Sequence, residues 1–592
     1  MKQSINRNIL WTELFVSALE RLGVKHACIS PGSRNTPLTI AFQRSSKIKS
    51  YIHVDERSSG FFALGLANKT NKPVVIVTTS GTAVAELYPA IIEAYQQRVS
   101  LIVCTADRPL HLLNTGANQT INQIDIYNNH IHKYYSADLP GTNSKAFNHL
   151  LSITKNAFSE SIKSNRPVHI NFPFDKPFEP SRETDKIDKE FLKKVKNKFK
   201  SMSDPQPQNK IKASDIVFIL RQIKNSKRRI ILAGPLNIMN RKLNSLFQFA
   251  KKTNSLILAD GLSGLRITKI TSNNLIVNHP SFLRSVKVRK NLDPDLVIQI
   301  GSAPTSNSVL DFYADSKAIK IIINQFGELK DPSRTTDKII SAEYSKLLET
   351  LNNSIDKNFK HETDKEWLKI YSEIDKRSEE IKQKSFTKSL FPFEGKIISE
   401  VINLAPDSAN IMVSNSLPVR DVDAFAGRSK KRINIFSNRG ASGIDGIIST
   451  SSGIAVEDKN PTFLIIGDLA FYHDITGLLS LKKYSIPIVI ILLNNSGGGI
   501  FELLPIAKEK IDFQNYFKTP LGVDFKNITK AFYGNYKIIK NWNEFSNELK
   551  KAAKRKSFSV LEIKIDSQKT LQIRKNIWNE IKQTAESLIN GN

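Results

Sequence analysis

Gly467-Asp468-Leu469 and Asn494-Asn495 combine the residue types that hold a metal ion beside a phosphate. Each follows an apolar run of strand length, residues 463–466 before the first and 489–493 before the second. Open α/β sheets bind ligands at such carboxyl ends of strands. Asp468 and Asn495 lie 27 residues apart, room for one crossover helix, expected over residues 473–482, between adjacent parallel strands. A carboxylate and an amide oxygen would then meet at one spot. Hard oxygen ligands of this kind suit Mg²⁺, which keeps octahedral geometry and commonly bridges to phosphates. Gly497, Gly498 and Gly499 let main-chain carbonyls come close to such an ion. A helix starting after Asp468 would offer N–H donors and its dipole to a diphosphate. Ordinary turns after strands use the same residue types.

Other chemistry-bearing residues stand in similar places. Glu56 closes one apolar segment and opens a helical one, where a plain first-turn acid would also be favoured by the dipole. Ser80, Gly81 and Thr82 follow the run 74–79 and read as a ligand-facing turn or as a helix N-cap. Arg34, Arg108, Arg420 and Arg439 are expected in loops after strands. Four guanidinium groups in one cleft are costly unless anions neutralise them, and their fork geometry suits carboxylates.

The elements that must position these residues alternate between strand and helix. Residues 8–22 read as a helix whose inner face carries Ile9, Leu10, Leu14, Phe15, Ala18, Leu19 and Leu22. Strands are expected at 25–30, 50–55, 73–79 and 101–105, with helices at 57–69 and 83–96. A polar, Lys-rich stretch, 179–210, reads as a linker. A second set of strands is expected at 229–233, 255–259, 296–300 and 318–323. A charged helical connector over 353–388 leads to a third set at 411–414, 433–436, 462–466 and 486–493. Continuous Val/Ile-rich strands in βα alternation argue for parallel sheets covered on both faces. The fold class is therefore α/β, three doubly wound domains in series: 1–185, 210–350 and 385–592.

A chain of 592 residues is long enough for several cores. No apolar run reaches the length of a membrane span, and residues 1–23 lack a signal-peptide core. Cys28 and Cys104 sit in apolar strands and read as buried small hydrophobes in a reducing, cytoplasmic setting. The net charge of +30 fits a nucleic-acid partner, a field that gathers anionic ligands, or a lysine-covered surface. Basic stretches at 189–200 and 550–556 look like exposed faces of amphipathic helices, and no nucleic-acid-binding module accompanies them.

Taken together, the Gly-Asp-x and Asn-Asn pair resembles the diphosphate motif of thiamine-diphosphate enzymes, with Leu469 where many members have glycine. Further segments resemble the 2-succinyl-5-enolpyruvyl-6-hydroxy-3-cyclohexene-1-carboxylate synthase family. They include Ile29-Ser-Pro-Gly-Ser-Arg-Asn-Thr-Pro-Leu38, His53-Val-Asp-Glu-Arg57, Thr79-Ser-Gly-Thr82, Thr105-Ala-Asp-Arg-Pro109, Gly116-Ala-Asn-Gln119, Ser414-Asn-Ser-Leu-Pro-Val-Arg420 and Asn438-Arg-Gly-Ala-Ser-Gly-Ile-Asp-Gly446. The likeness is dense at both ends and loose in the middle.

That resemblance implies pyrimidine-binding, central and diphosphate-binding domains in that order. It implies a transferase that decarboxylates 2-oxoglutarate and adds the remaining carbons conjugately to isochorismate, on the way to menaquinone or phylloquinone. The implied cofactors are thiamine diphosphate and Mg²⁺ or Mn²⁺. Glu56 would bond the aminopyrimidine N1′ of cofactor held by a partner subunit, so a homodimer, or a tetramer of two dimers, is the implied assembly. Ser80, Gly81, Thr82, Ser442, Gly443, Ile444, Gly467, Asp468, Leu469 and Asn495 would bind the cofactor, Ile444 propping its bent form and Asp468, Asn495 and Gly497 holding the metal. Arg420 and Arg439 would hold the donor, and Ser416 would be a further substrate-binding residue. Ser33, Arg34, Arg108, Asn118 and Gln119 would line the acceptor side, and Ile500, Phe501 and Leu504 an apolar wall.

One departure concerns the middle domain. Where the family carries a basic pair after the strand ending at Gly301-Ser302, this sequence has Asn307 and Ser308, with Arg289 or Lys290 as candidate replacements. A thiamine-dependent decarboxylase of small 2-oxo acids is the alternative enzyme, and a basic nucleic-acid-binding protein the alternative from another class. Small 2-oxo acids would not call for these arginines, and none of the ten histidines are adjacent as in pyruvate-decarboxylase relatives.

Overall fold

The computed structural model describes residues 2–201, 211–236, 243–356 and 359–591. The chain divides into two compact units. One runs from the N-terminus through the helix Lys189–Lys200 and includes Asn438–Asp458 and His473–Ile486. The other holds the remaining segments.

The first unit contains a six-stranded parallel sheet in the spatial order Lys49–Ile52, His26–Ile29, Val74–Thr78, Leu101–Asp107, Val168–Pro173, Lys133–Ser136. Numbered along the chain, that order is 2-1-3-4-6-5. Its central strands are buried at every position, as expected when helices cover both faces. The helix Arg7–Arg21 is capped by Asn6, whose side chain accepts from the N–H groups of Asn8 and Ile9. It buries the apolar face expected from the sequence, Phe15 included, and Trp11 besides.

The second unit contains two such sheets. One has the order Leu275–Ile276, Leu256–Ala259, Arg229–Ala233, Leu296–Ile300, Ile319–Asn324, Lys338–Ser341, which is 3-2-1-4-5-6. The other has the order Asn434–Phe436, Asn410–Val413, Thr462–Gly467, Ile488–Asn494, Ser559–Lys564, Asn535–Ile538. That is 2-1-3-4-6-5 again. The fold is α/β with three doubly wound parallel sheets, as the sequence led us to expect.

Several local expectations are corrected. The part of the supposed linker up to residue 201 is structured, while 202–210 lie outside the described residues. Strand Asp185–Asp188 pairs antiparallel with Lys2–Ile5. Helix Lys189–Lys200, capped by Asp188, buries Leu192, Val195 and Phe199 and turns its lysines outward. Three apolar residues at helical spacing anchor it despite its composition. The helix expected at 83–96 is two helices, Thr82–Glu86 and Tyr88–Gln97, the second beginning at a Tyr-Pro pair that suits a helix start. The crossover expected at 473–482 is a short turn, Ile475–Gly477, followed by the helix Leu478–Lys483. Helix Trp542–Ala552 ends before the last lysines of the stretch 550–556.

Helix Glu56–Thr70 is buried continuously from Ser58 to Ala67 and packs through glycine. A Cβ on Gly65 would lie 2.0 Å from the carbonyl oxygen of Thr450 in the helix Ile447–Ala455, and one on Gly453 2.0 Å from that of Phe62. Gly65→Ala must push the two helices apart. Such overpacking costs about 1–3 kcal/mol, so a lower thermal unfolding midpoint is expected by calorimetry, together with weaker activity; an unchanged midpoint would show that the contact yields freely.

Candidate active site

In both 2-1-3-4-6-5 sheets the strand order reverses between the first and third strands, the place where such sheets bind ligands. In the first sheet the turns after His26–Ile29 and Val74–Thr78 flank that point. Asn35 shapes the first turn, its Oδ1 accepting from Gly32 N at 2.8 Å and its Nδ2 donating to Ser30 O at 2.8 Å. Ser33 and Arg34 are carried on this turn. Arg34 donates to Phe174 O at 2.6 Å and lies 4.8 Å over the Phe178 ring.

Ser80 and Gly81 form the second turn. The Ser80 hydroxyl does not cap the following helix; it donates to Gln119 O at 3.1 Å and accepts from Arg108 Nη1. Gln119, at φ +57°, returns a bond from Nε2 to Ser80 O at 2.9 Å. Gly81, at φ +82°, donates its N–H to Gln123 Oε1 at 3.0 Å. Thus Ser80, Gly81, Arg108 and Gln119 are brought together, Asn118 adjoins Gln119 in the chain and is exposed, and Thr82 is an exposed first helical residue. Burial first, and Arg108 second, lower the proton affinity of Arg34. Burial does the same to Arg108, against the pull of Asp107.

Sequence reasoning missed Gln123, Asn171 and Asp107. Gln123 Nε2 donates to Asn171 Oδ1 at 2.9 Å, and Asn171 Nδ2 to Asp107 Oδ2 at 2.8 Å. Thr105 Oγ1 donates to Asn171 Oδ1 at 2.8 Å and bonds His169 Nε2 at 2.6 Å. Polar residues inside an otherwise apolar strand were the only signal.

Glu56 is the first residue of its helix and half-buried, while its neighbour Asp55 does the capping, accepting from Ser58 N at 3.1 Å. Burial raises the Glu56 carboxyl above the usual range, opposed by its own main-chain N–H, with Asp55 and Glu86 adding to the rise.

In the second unit Gly467 ends a strand and Asp468 opens the six-residue helix Asp468–His473 that carries Leu469. Asp468 Oδ2 accepts from Gly497 N at 2.7 Å. Burial pushes this carboxyl up to about 6, against the N–H groups of Gly497 and Leu469. Asn495 Oδ1 is buried without a hydrogen-bond partner. An unpartnered buried amide oxygen costs free energy unless a cation or donor completes it, so the cradle fits a hard metal ion. The glycine run also has a packing cause: a Cβ on Gly497 would lie 1.8 Å from Lys518 O, and one on Gly499 2.4 Å from Asn495 Nδ2.

At the same sheet's reversal point, Ser416 has φ +72° and ψ −128°, a strained backbone for a residue with a side chain. Arg420 is not in a loop, as expected, but on the helix Leu417–Phe425, where its Nη1 donates to Ser416 O at 2.7 Å. Arg439 does follow a strand, Asn434–Phe436, and with Ser442, Gly443 and Ile444 belongs to the segment grouped with the first unit. All four are partly exposed. Ile500 and Phe501 lie on the turn Gly499–Leu503 and are partly buried, whereas Leu504 is exposed. Asn307 starts the helix Asn307–Asp315, and the buried Ser308 donates to Pro280 O at 2.7 Å. Arg289 is taken up by Asp315, at 3.1 Å, and Leu283 O; Lys290 is exposed.

Residues 11–126 match the N-terminal TPP binding domain of thiamine pyrophosphate enzymes, and residues 426–563 the C-terminal TPP binding domain. The 2-succinyl-5-enolpyruvyl-6-hydroxy-3-cyclohexene-1-carboxylate synthase of Bacillus cytotoxicus is 34% identical over 566 residues, 95% of either chain. The chain belongs to this synthase family. The Bacillus velezensis and Listeria innocua synthases are also 34% identical, over 95% and 97% of this chain and 96% and 97% of theirs. A Rhodococcus jostii thiamine diphosphate-dependent 4-hydroxybenzoylformate decarboxylase shares the fold, with a TM-score of 0.67 at 13% identity, covering 94% of this chain and 99% of that one.

The positive-φ backbone of Ser416 carries a conformational cost of about 1–3 kcal/mol. Ser416→Gly is expected to raise the unfolding midpoint while lowering turnover; loss of both stability and activity would remove the strain argument.

Proposed function

We propose that this family member uses thiamine diphosphate and Mg²⁺, or Mn²⁺ in its place, to decarboxylate 2-oxoglutarate and join the product to isochorismate. The observation that carries the reading is a pair of partly buried guanidinium groups near a sheet reversal point: Arg108 bonds Ser80, and Arg34, bonded to Phe174 O, lies close enough to feel the Arg108 charge. Burial and Arg108 lower the proton affinity of Arg34, and burial lowers that of Arg108; two such groups suit an anion, and a dicarboxylate supplies it.

The bound cofactor would act as electron sink for loss of CO₂ and for carbon–carbon bond formation. The chain's own residues do the rest. Asp468, Asn495 and the Gly497 carbonyl would hold the metal, with Gly467, Leu469, Ser442 and Gly443 around the diphosphate. Ile444 would prop the cofactor, and Ser80, Gly81 and Thr82 would face it. Glu56, with its raised proton affinity, is suited to share a proton with a pyrimidine nitrogen.

Arg420 and Arg439 would hold the donor's carboxylates beside Ser416. Ser33, Arg34, Arg108, Asn118 and Gln119 would hold the acceptor, against a wall of Ile500, Phe501 and Leu504 that excludes water. The pyrimidine-binding, central and diphosphate-binding domains are assigned to 1–185, 210–350 and 385–592. Glu56 would serve a partner subunit's cofactor, so the working unit is a homodimer or a tetramer built from it. A cytoplasmic setting agrees with the buried, unpaired Cys28 and Cys104. No helix among the described residues is long and apolar enough to cross a membrane.

The test is turnover by wild type and Glu56→Gln with 2-oxoglutarate or pyruvate, isochorismate, thiamine diphosphate and Mg²⁺. Wild type is expected to consume 2-oxoglutarate in preference to pyruvate. Glu56→Gln is expected to be slower by about 10²–10⁴-fold. Undiminished product from Glu56→Gln would refute the role given to this carboxylate.

A further inference from the structure

Glu93 lies in the helix Tyr88–Gln97 and is 3% exposed. Burying a carboxylate is expensive unless the charge is met, and among the described residues no ion pair involves it. Instead the carboxylate accepts three consecutive main-chain N–H groups: Gly440 N on Oε1 at 2.6 Å, Ala441 N on Oε2 at 2.7 Å and Ser442 N on Oε2 at 3.2 Å. The loop lies flush against the helix. A Cβ on Gly440 would sit 2.5 Å from Glu93 O and 2.8 Å from Gln97 N.

Ser442 has φ +64°, so the loop adopts a backbone that a free chain seldom holds. Successive N–H groups converging in this way form a concavity for an anion. Here a glutamate of the same chain fills it. The N–H groups of 440–442 are therefore turned inward and are not donors to a diphosphate. What the loop offers outward is the Arg439 side chain before them and Gly443 and Ile444 after them.

We propose that Glu93 is a positioning residue: its carboxylate fixes the 439–444 loop so that Arg439 meets the donor and Ile444 the cofactor, while Glu93 touches neither. This rests on the roles given above to Arg439 and Ile444. Glu93→Gln keeps the shape but points an NH₂ group at one end of the array of N–H donors, which loosens the loop without emptying the space.

The experiment compares Glu93→Gln, Arg439→Ala and the double variant in the full chain. Hydrogen exchange of the 440–442 amides is followed without cofactor, thiamine diphosphate binding with Mg²⁺ by intrinsic fluorescence, and KM for 2-oxoglutarate apart from kcat. For Glu93→Gln, exchange at 440–442 should quicken. The cofactor Kd and the KM should rise by about ten- to a hundredfold, the scale of one charge-assisted hydrogen bond, with a smaller change in kcat. The double variant should have no higher KM than Arg439→Ala alone.

Faster exchange with unchanged Kd and KM would reduce Glu93 to a structural tie and overturn the proposal, as would additive effects in the double variant. An Arg439→Ala protein with unaltered KM would instead sink the donor assignment, a separate failure. Should Glu93→Gln not fold, Glu93→Asp, which keeps the charge on a shorter arm, must show the same ordering of Kd and KM over kcat or the proposal falls.

Discussion

Close approach of three segments through residues that lack side chains governs the first unit. Helix Glu56–Thr70 meets helix Tyr88–Gln97 where a Cβ on Gly60 would come within 2.7 Å of Ala90 Cβ. It meets helix Ile447–Ala455 through Gly65 and Gly453. The Phe61 ring occupies the space that a side chain on Gly446 would need. Asp474 then caps helix Ile447–Ala455 from outside, accepting from Ser449 N at 2.7 Å and Ser449 Oγ at 3.0 Å. These contacts leave little slack, because a packed interior transmits displacement instead of absorbing it. The carboxylate at the start of one helix and the 439–446 loop at the start of another are held at fixed separation, and Glu93 closes the third side.

The two 2-1-3-4-6-5 sheets use one architecture for two kinds of chemistry. In the first, the turns at the reversal point carry hydroxyl, amide and guanidinium groups, and the residues beneath them form a buried hydrogen-bonded network from Gln123 through Asn171 to Asp107. In the other, the corresponding turns carry Ser416 and Asp468, with Asn495 after the next strand. The 3-2-1-4-5-6 sheet has the order of dinucleotide-binding folds, yet its reversal point is closed by its own backbone. A Cβ on Gly234 would lie 1.9 Å from Ser302 O, and Ser302 N donates to Pro235 O at 3.0 Å. Topology alone does not make a nucleotide site.

What could be read from the sequence follows from the same physics. Strands buried on both faces announce themselves as Val/Ile runs, so 74–78, 229–233, 296–300 and 488–494 were legible almost to the residue. Strands Val168–Pro173 and Ser559–Lys564 are interior too, but His169, Asn171 and Glu562 interrupt their apolar pattern, because each serves a buried hydrogen bond. Edge strands such as Asn535–Ile538 are only half-covered and carry a weak pattern. Asp468 and Asn495 were visible because they follow strong strands. Glu93, Gln123 and Asn35 were not, since each acts on main-chain groups of a distant or irregular segment, and nothing in local spacing marks an acceptor of N–H groups. Arg420 was misplaced by two turns' worth of helix that its Pro418 begins, not ends.

The large net positive charge can now be separated from the binding chemistry. Helix Lys189–Lys200 shows one place where it resides, on an outward face whose inner side carries apolar anchors. Exposed charges beyond a Debye length of about 8–10 Å are screened at ordinary ionic strength, so they enrich anions near the protein without choosing among them. Arg34 and Arg108 differ in kind. Both are partly buried and burial weakens the hold of each on its proton; Asn35 fixes the turn that carries Arg34, and Arg108 bonds Ser80 in the turn that Gln119 and Gln123 fix. Oriented, partly buried guanidinium groups of this kind can select an anion by its shape as well as its charge, which a solvated lysine coat cannot. Neutralising one exposed lysine removes a charge that salt already screens, whereas moving the turn that carries Ser80 would displace the Arg108 guanidinium bonded to it.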